Sequence, residues 1–142
     1  EFEFLEFVHD IPVGDVLQPD PALREMLRSY PQRKIIFTNA DQAHARRVLE
    51  IVGIADCFDT IIDVIALSPH CKPQREAFET ALQLAGNPKP KSCVLIDDSP
   101  INLAAARELG FFTIGIGPKL VNGCCDAVLE SLHDLPAVIP LS

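Results

Sequence analysis

Apolar residues along the chain fall into two alternating kinds of segment. The first kind is a short run with little or no alternation: Ile35-Ile36-Phe37, the Ile- and Val-rich Thr60 to Leu67, Cys93-Val94-Leu95-Ile96, Phe111 to Ile116, and Ala127-Val128-Leu129. Such runs, bounded by turn residues, read as strands buried on both faces of a parallel sheet. The second kind has helical spacing. Asp20 predicts a cap for a helix with Pro21 at its first position, running to about Ser29. A helix over roughly 41–52 lines up Ala45, Val48, Leu49 and Val52 and ends at Gly53. Pro73 opens another, with Ala77, Phe78, Ala81, Leu82 and Ala85 on one face and Gly86 closing it. Pro100 opens a third, with Ile101, Ala105 and Leu109 in line before Gly110. Ser131 to Ile139 predicts a last helical turn or two, broken at Pro136. Glu1 to Val8 alternates acidic and apolar residues and fits a strand and a helix equally, and residues 9–21 carry the prolines and glycine of a loop. Strands alternating with helices across short loops predict βαβ units, hence an α/β, three-layer Rossmann-like fold with a parallel sheet and flanking helices.

Composition narrows the function more than the fold. A chain of 142 residues, 48% hydrophobic and 23% charged, suits one globular domain. Its net charge of −8, from 12 basic and 20 acidic residues, argues against a nucleic-acid partner, which needs a basic face. No apolar run approaches a membrane span, so no membrane partner is expected, and no signal-peptide pattern is present. Five cysteines without framework spacing fit a reducing, cytoplasmic setting. The chain opens at Glu1 in mid-pattern, so it is expected to be a piece of a longer protein.

Candidate chemistry gathers at strand ends. Asp97 and Asp98 follow the run Cys93-Val94-Leu95-Ile96, at the edge where open α/β sheets bind ligands. Adjacent carboxylates tolerate each other when a cation or shared proton lies between them, and a hard ion such as Mg²⁺ prefers oxygen ligands. The pair reads equally as a metal site and as a solvated turn capping the next helix. Thr38 and Asn39 end another strand, and Lys72 precedes a helix start. In a parallel sheet these places share one edge, so the three features can converge. A hydroxyl, backbone amides, a lysine and a carboxylate-held metal together suit a small phosphorylated substrate.

In this order, the motifs Ile-Ile-Phe-Thr38-Asn39, Cys71-Lys72-Pro73 and Val-Leu-Ile-Asp97-Asp98-Ser99 resemble the second, third and fourth motifs of the haloacid dehalogenase-like (HAD-like) hydrolase superfamily. Phe-Val-His (7–9), Gln-Pro-Asp-Pro (18–21), Phe-Thr-Asn-Ala-Asp (37–41) and His44-Ala45 look like its pyrimidine 5′-nucleotidase-like branch. The resemblance implies a Mg²⁺-dependent phosphomonoesterase acting on nucleoside monophosphates. It implies an aspartate nucleophile, an aspartyl-phosphate intermediate and a second aspartate as general acid. Thr38, Asn39 and Lys72 would then hold phosphate, Asp98 would ligate the metal with Asp97 supporting, and Asn102 stands where some relatives carry a further acid.

The first motif of that superfamily, Asp-x-Asp after an apolar strand, does not occur in the chain. The nearest candidate, Asp10 in Phe7-Val8-His9-Asp10-Ile11-Pro12, has proline in place of the second acid and aligns better with a return from a helical cap domain. Residues 1–20 are therefore expected to be a cap remnant and linker, and residues 21–142 an incomplete core whose central first strand is missing. That predicts a gap or a novel pairing between residues 34–38 and 93–97. Two other functions compete: a catalytically inactive remnant that binds Mg²⁺ or phosphate, and a phospho-receiver signalling domain. Receivers carry the acid pair early and the lysine late, the reverse of the order here. Of the remaining polar residues, Cys71 reads as filler rather than a reactive thiol, and Ser99 as a helix cap. His44 reads as a surface or packing residue, while His9 and Asp41 are open candidates for the substrate side. Cys124-Cys125 with His133 only weakly suggests zinc.

Overall fold

The computed structural model describes residues 4–7, 18–117, 120 and 123–141, with the backbone alone for 4–7. Among the described residues, six parallel strands form one sheet: β1 (Phe4–Phe7), β2 (Arg33–Phe37), β3 (Thr60–Ile62), β4 (Cys93–Asp97), β5 (Phe112–Ile116) and β6 (Ala127–Leu129), in the order β3-β2-β1-β4-β5-β6. The α/β, Rossmann-like architecture expected from the alternating pattern is present.

The central position is filled, which corrects the expected gap. β1 lies between β2 and β4 and is parallel to both, with Phe4 in register with Arg33 and Cys93, and Phe7 with Ile36 and Ile96. Two buried strands left without a shared neighbour would orphan a row of backbone donors and acceptors, and Phe4–Phe7 supplies the partners. These residues, expected within a cap remnant, belong to the sheet. His9 and Asp10 lie outside the described residues.

Helices cover both faces. α1 (Pro21–Ser29) and α2 (Gln42–Val52) pack with the 3-10 turn Leu132–Ala137 on one face, through Leu23, Leu27, Ala45, Leu49, Val52, Leu132 and Leu135. On the other face, α3 (Val64–Leu67), α4 (Arg75–Leu84) and α5 (Pro100–Glu108) bury Leu67, Ala77, Phe78, Ala81, Leu103 and Ala106. β4 alternates between the two cores, Val94 and Ile96 against the first and Cys93 and Leu95 against the second. That is why its run is apolar without interruption.

Local signals account for most helix ends. The Asp20 carboxylate accepts the Leu23 amide, Asp41 accepts that of His44, and Gly53 terminates α2 at φ 86°. Two expectations need correction. The strand predicted over Thr60 to Leu67 stops at Ile62, because Asp63 turns the chain and caps α3 through the Ala66 amide. On α5 the inward residues are Leu103 and Ala106, whereas Ile101 is 67% exposed. The small residues Ala104, Ala105 and Ala106 leave the helix without a sharply apolar face, so spacing alone misaligns it.

Candidate active site

Thr38 follows β2 and is fully buried. Its amide donates to the Ile62 carbonyl at 2.9 Å, continuing the ladder with β3. Its hydroxyl accepts the Ala40 amide at 2.9 Å, and a hydroxyl that accepts still has a proton to donate. The next residue, Asn39, acts through its side chain. Its amide nitrogen donates to the Lys72 carbonyl at 3.1 Å, and its amide oxygen accepts the Lys72 amide at 3.0 Å. This two-point grip fixes the turn before α4 against the end of β2.

Lys72 is buried, with its Nζ directed back toward the sheet. It donates to the Phe37 carbonyl at 2.8 Å, sits 4.7 Å from the Phe37 ring centroid, and lies 3.7 Å from Asp97 Oδ2. The ammonium is thus held between the ends of β2 and β4 by a carbonyl, an aromatic face and a carboxylate.

Asp97 ends β4 and is 2% exposed. Its Oδ1 accepts the Ser99 amide at 2.9 Å and its Oδ2 accepts Asn102 Nδ2 at 3.1 Å. Ser99 is also the cap of α5, its hydroxyl accepting the Asn102 amide at 3.4 Å. Burial pushes the Asp97 carboxyl up to about 6, against the pull of Lys72, the Ser99 amide and Asn102, while contact with Asp98 adds to the rise. Asp98 is half-buried beside it. The structure thus brings Thr38, Asn39, Lys72, Asp97, Asp98 and Asn102 to the carboxyl ends of β2 and β4, on either side of β1.

Among the described residues no group of three His, Cys, Asp or Glu side chains forms a metal cage. The donors available are two carboxylates. That suits Mg²⁺, which keeps several waters and takes one or two carboxylates together with substrate phosphate oxygens. Lys72 supplies one positive charge against two acids, leaving one negative charge over. A divalent cation would relieve it.

A family model for haloacid dehalogenase-like hydrolases matches residues 1–110. The chain belongs to the haloacid dehalogenase-like hydrolase family. This HAD-like chain is 34% identical over 121 residues to Phosphate metabolism protein 8 of Saccharomyces cerevisiae, a match covering 76% of the chain and 38% of that protein. It is 26% identical over 95 residues to Validoxylamine A 7′-phosphate phosphatase of Streptomyces hygroscopicus subsp. limoneus, covering 65% of the chain and 44% of that protein. The chain therefore spans less than half the length of either relative. Among solved structures, a HAD phosphatase from Thermococcus onnurineus superposes with a TM-score of 0.72 at 22% identity, over 86% of the chain and 56% of that structure. At that identity the likeness speaks for the fold.

Other residues of the HAD-like chain fall outside this cluster. Cys71 is exposed, its amide bonded to Gln74 Oε1 in a turn. His44 is exposed on α2, and Asp41 is spent on capping that helix. His133 does not join Cys124 and Cys125: its ring bonds Ser131 Oγ and Asp20 Oδ2, each at 2.8 Å. Asp63 is a residue that the sequence pattern does not single out. It is buried, and its carboxylate accepts the Gln42 amide and the Ala66 amide, both at 3.0 Å. It thereby ties the loop carrying Thr38 to the end of β3. Its one signal is an acid directly after Ile61-Ile62, hidden because Val64 and Ile65 prolong the apolar run.

Proposed function

We propose that this fold serves phosphomonoester hydrolysis, with a nucleoside monophosphate as substrate, Mg²⁺ as cofactor and an aspartyl-phosphate intermediate, in a cytoplasmic setting. The observation that carries the reading is the convergence of Thr38, Lys72 and the Asp97-Asp98 pair at one sheet edge. In it, the Thr38 hydroxyl and the Asn39 backbone amide donate to phosphate oxygens, and Lys72 balances the charge that builds on them. Asp98 is the metal ligand, since both Asp97 oxygens are engaged by Ser99 and Asn102, and Asp97 supports it. Bound there, Mg²⁺ would neutralise charge on the transferring phosphoryl group. The relative named as a 7′-phosphate phosphatase supports phosphate-ester chemistry for the fold. The branch-like motifs around Thr38 and His44 support the nucleotide.

A second reading rests on its own observation. The 142 residues contain no Asp-x-Asp, and the covalent step requires an aspartate nucleophile. In this reading the chain as given binds phosphate and Mg²⁺ without turnover. One assay separates the two: the purified chain with Mg²⁺, nucleoside monophosphates and an aryl phosphate, alongside Asp98→Asn. The expected outcome is no turnover above buffer for the chain alone. Release of phosphate that Asp98→Asn abolishes would overturn the binding-only reading.

A further inference from the structure

Between β5 and β6, two adjacent thiols converge on each other. Cys124 Sγ donates to Cys125 Sγ at 3.3 Å, and Cys125 Sγ donates to the Ala127 carbonyl at 3.2 Å. Cys125 is buried in the same core cluster as Leu103, its sulfur close to Gly115, while Cys124 is half-buried. The stretch 123–126 that carries them is held on either side of the pair. Arg107 donates to the Gly123 carbonyl at 2.9 Å, and the Asp126 carboxylate accepts the Thr113 amide at 2.8 Å and its hydroxyl at 3.0 Å. The two sulfurs thus lie between two tethered positions, Gly123 and Asp126, and the mechanism proposed above uses neither.

Three chemistries compete for such a pair, and geometry separates them. A disulfide needs α-carbons roughly 4.4–6.8 Å apart, while neighbours across one trans peptide are held at about 3.8 Å, so direct bonding is disfavoured. Tetrahedral zinc, with arms of about 2.3 Å, would set two sulfurs about 3.8 Å apart and demand further protein ligands. The sulfurs are closer than that, and no third His, Cys, Asp or Glu joins them among the described residues. A soft trivalent centre with arms of similar length spans 3.3 Å at close to a right angle, and carries its own third substituent. We propose that Cys124 and Cys125 form a chelating dithiol site for a trivalent organoarsenical. An arsenoxide gives up its oxygen, two arsenic–sulfur bonds form, and the oxygen leaves as water with the two thiol protons. Arsenic stays trivalent and nothing is oxidised or reduced. Burial, with the neighbouring Cys124 sulfur adding to it, pushes the Cys125 thiol up to about 11, so the more open Cys124 makes the first bond and Cys125 closes the ring.

The test adds phenylarsine oxide to the full chain and reads intact mass. The expected result is one adduct that gains a phenylarsenic unit and loses two hydrogens. It survives excess glutathione, is stripped by 2,3-dimercaptopropanol, and is absent from Cys124→Ser and from Cys125→Ser. Cys124→Ser carries the test even where Cys125→Ser fails to fold, because its side chain is only half-buried, and Cys57→Ser and Cys71→Ser should keep the adduct. No adduct on the parent chain, an adduct retained by Cys124→Ser, or one removed by glutathione would each overturn the proposal.

Discussion

Asp97 sits where burial and three donors pull in opposite directions. Because its carboxyl rises from the ordinary 3.8 to about 6, the folded chain holds that proton more tightly than the unfolded chain does. Ionising Asp97 therefore costs stability at neutral pH, and the cost fades as pH falls through about 6 and is gone below about 4. Each tenfold gain in proton affinity is worth ~1.36 kcal/mol, so the effect is up to about 3 kcal/mol. The expected outcome is that the stability difference between Asp97→Asn and the parent chain, read from urea midpoints, moves in favour of the parent as pH is lowered from 7 to 4. A difference that stays flat would remove Asp97 as the source. At this scale the site was partly legible. Thr38, Lys72 and Asp97 announce themselves as polar residues after apolar runs or before a proline, although Pro73 lies in the turn ahead of α4 and does not open it. The grip of Asn39 on Lys72 and the bond from Asn102 to Asp97 join residues distant in sequence or on different elements, and no local pattern encodes them.

Helix α5 connects that residue to the fold, since its cap, Ser99, and its first turn both touch Asp97. Its fully buried residues are Leu103 and Ala106, with Ala105 and Leu109 partly buried beside them and only Ile101 of the line that spacing suggests left exposed. Substitution separates these faces. Leu103→Ala, at a fully buried position, should cost about 2–5 kcal/mol. Ile101→Ala, largely exposed, should stay within about 0.5 kcal/mol. Thermal or urea unfolding of the two variants checks both, and equal losses would contradict this choice of face. Caps such as Asp20, Gly53 and Ser99 were readable because a cap is a contact over three or four residues, whereas Asp41, read as a substrate-side candidate, is the cap of α2. The Asp63 cap was not readable, because β3 passes into α3 without a break in apolar character.

For the molecule as a whole, the decisive element is β1. Sequence order and apolar pattern are enough to foresee a parallel sheet with helices on both faces. They could not place Phe4–Phe7, whose alternation fits a strand and a helix alike and whose partners, Arg33–Phe37 and Cys93–Asp97, lie far along the chain. Leu5→Pro tests the placement. Proline lacks the amide proton, and a strand paired on both sides has no edge to spare. The variant should lose its cooperative thermal transition. A transition unchanged from the parent would mean that β2 and β4 do not depend on β1.

The same placement sets an order of events during synthesis. β1 leaves the ribosome before either of its neighbours, and its second neighbour follows only after three more helices have been made. Until Cys93–Asp97 emerges, Phe4–Phe7 can be paired along one side at most, leaving a row of open backbone groups beside Leu5 and the two phenylalanines. Loop closure over so much chain is slow, and an unpaired strand edge invites pairing with other chains. The nascent protein thus keeps an aggregation-prone strand edge until β4 arrives.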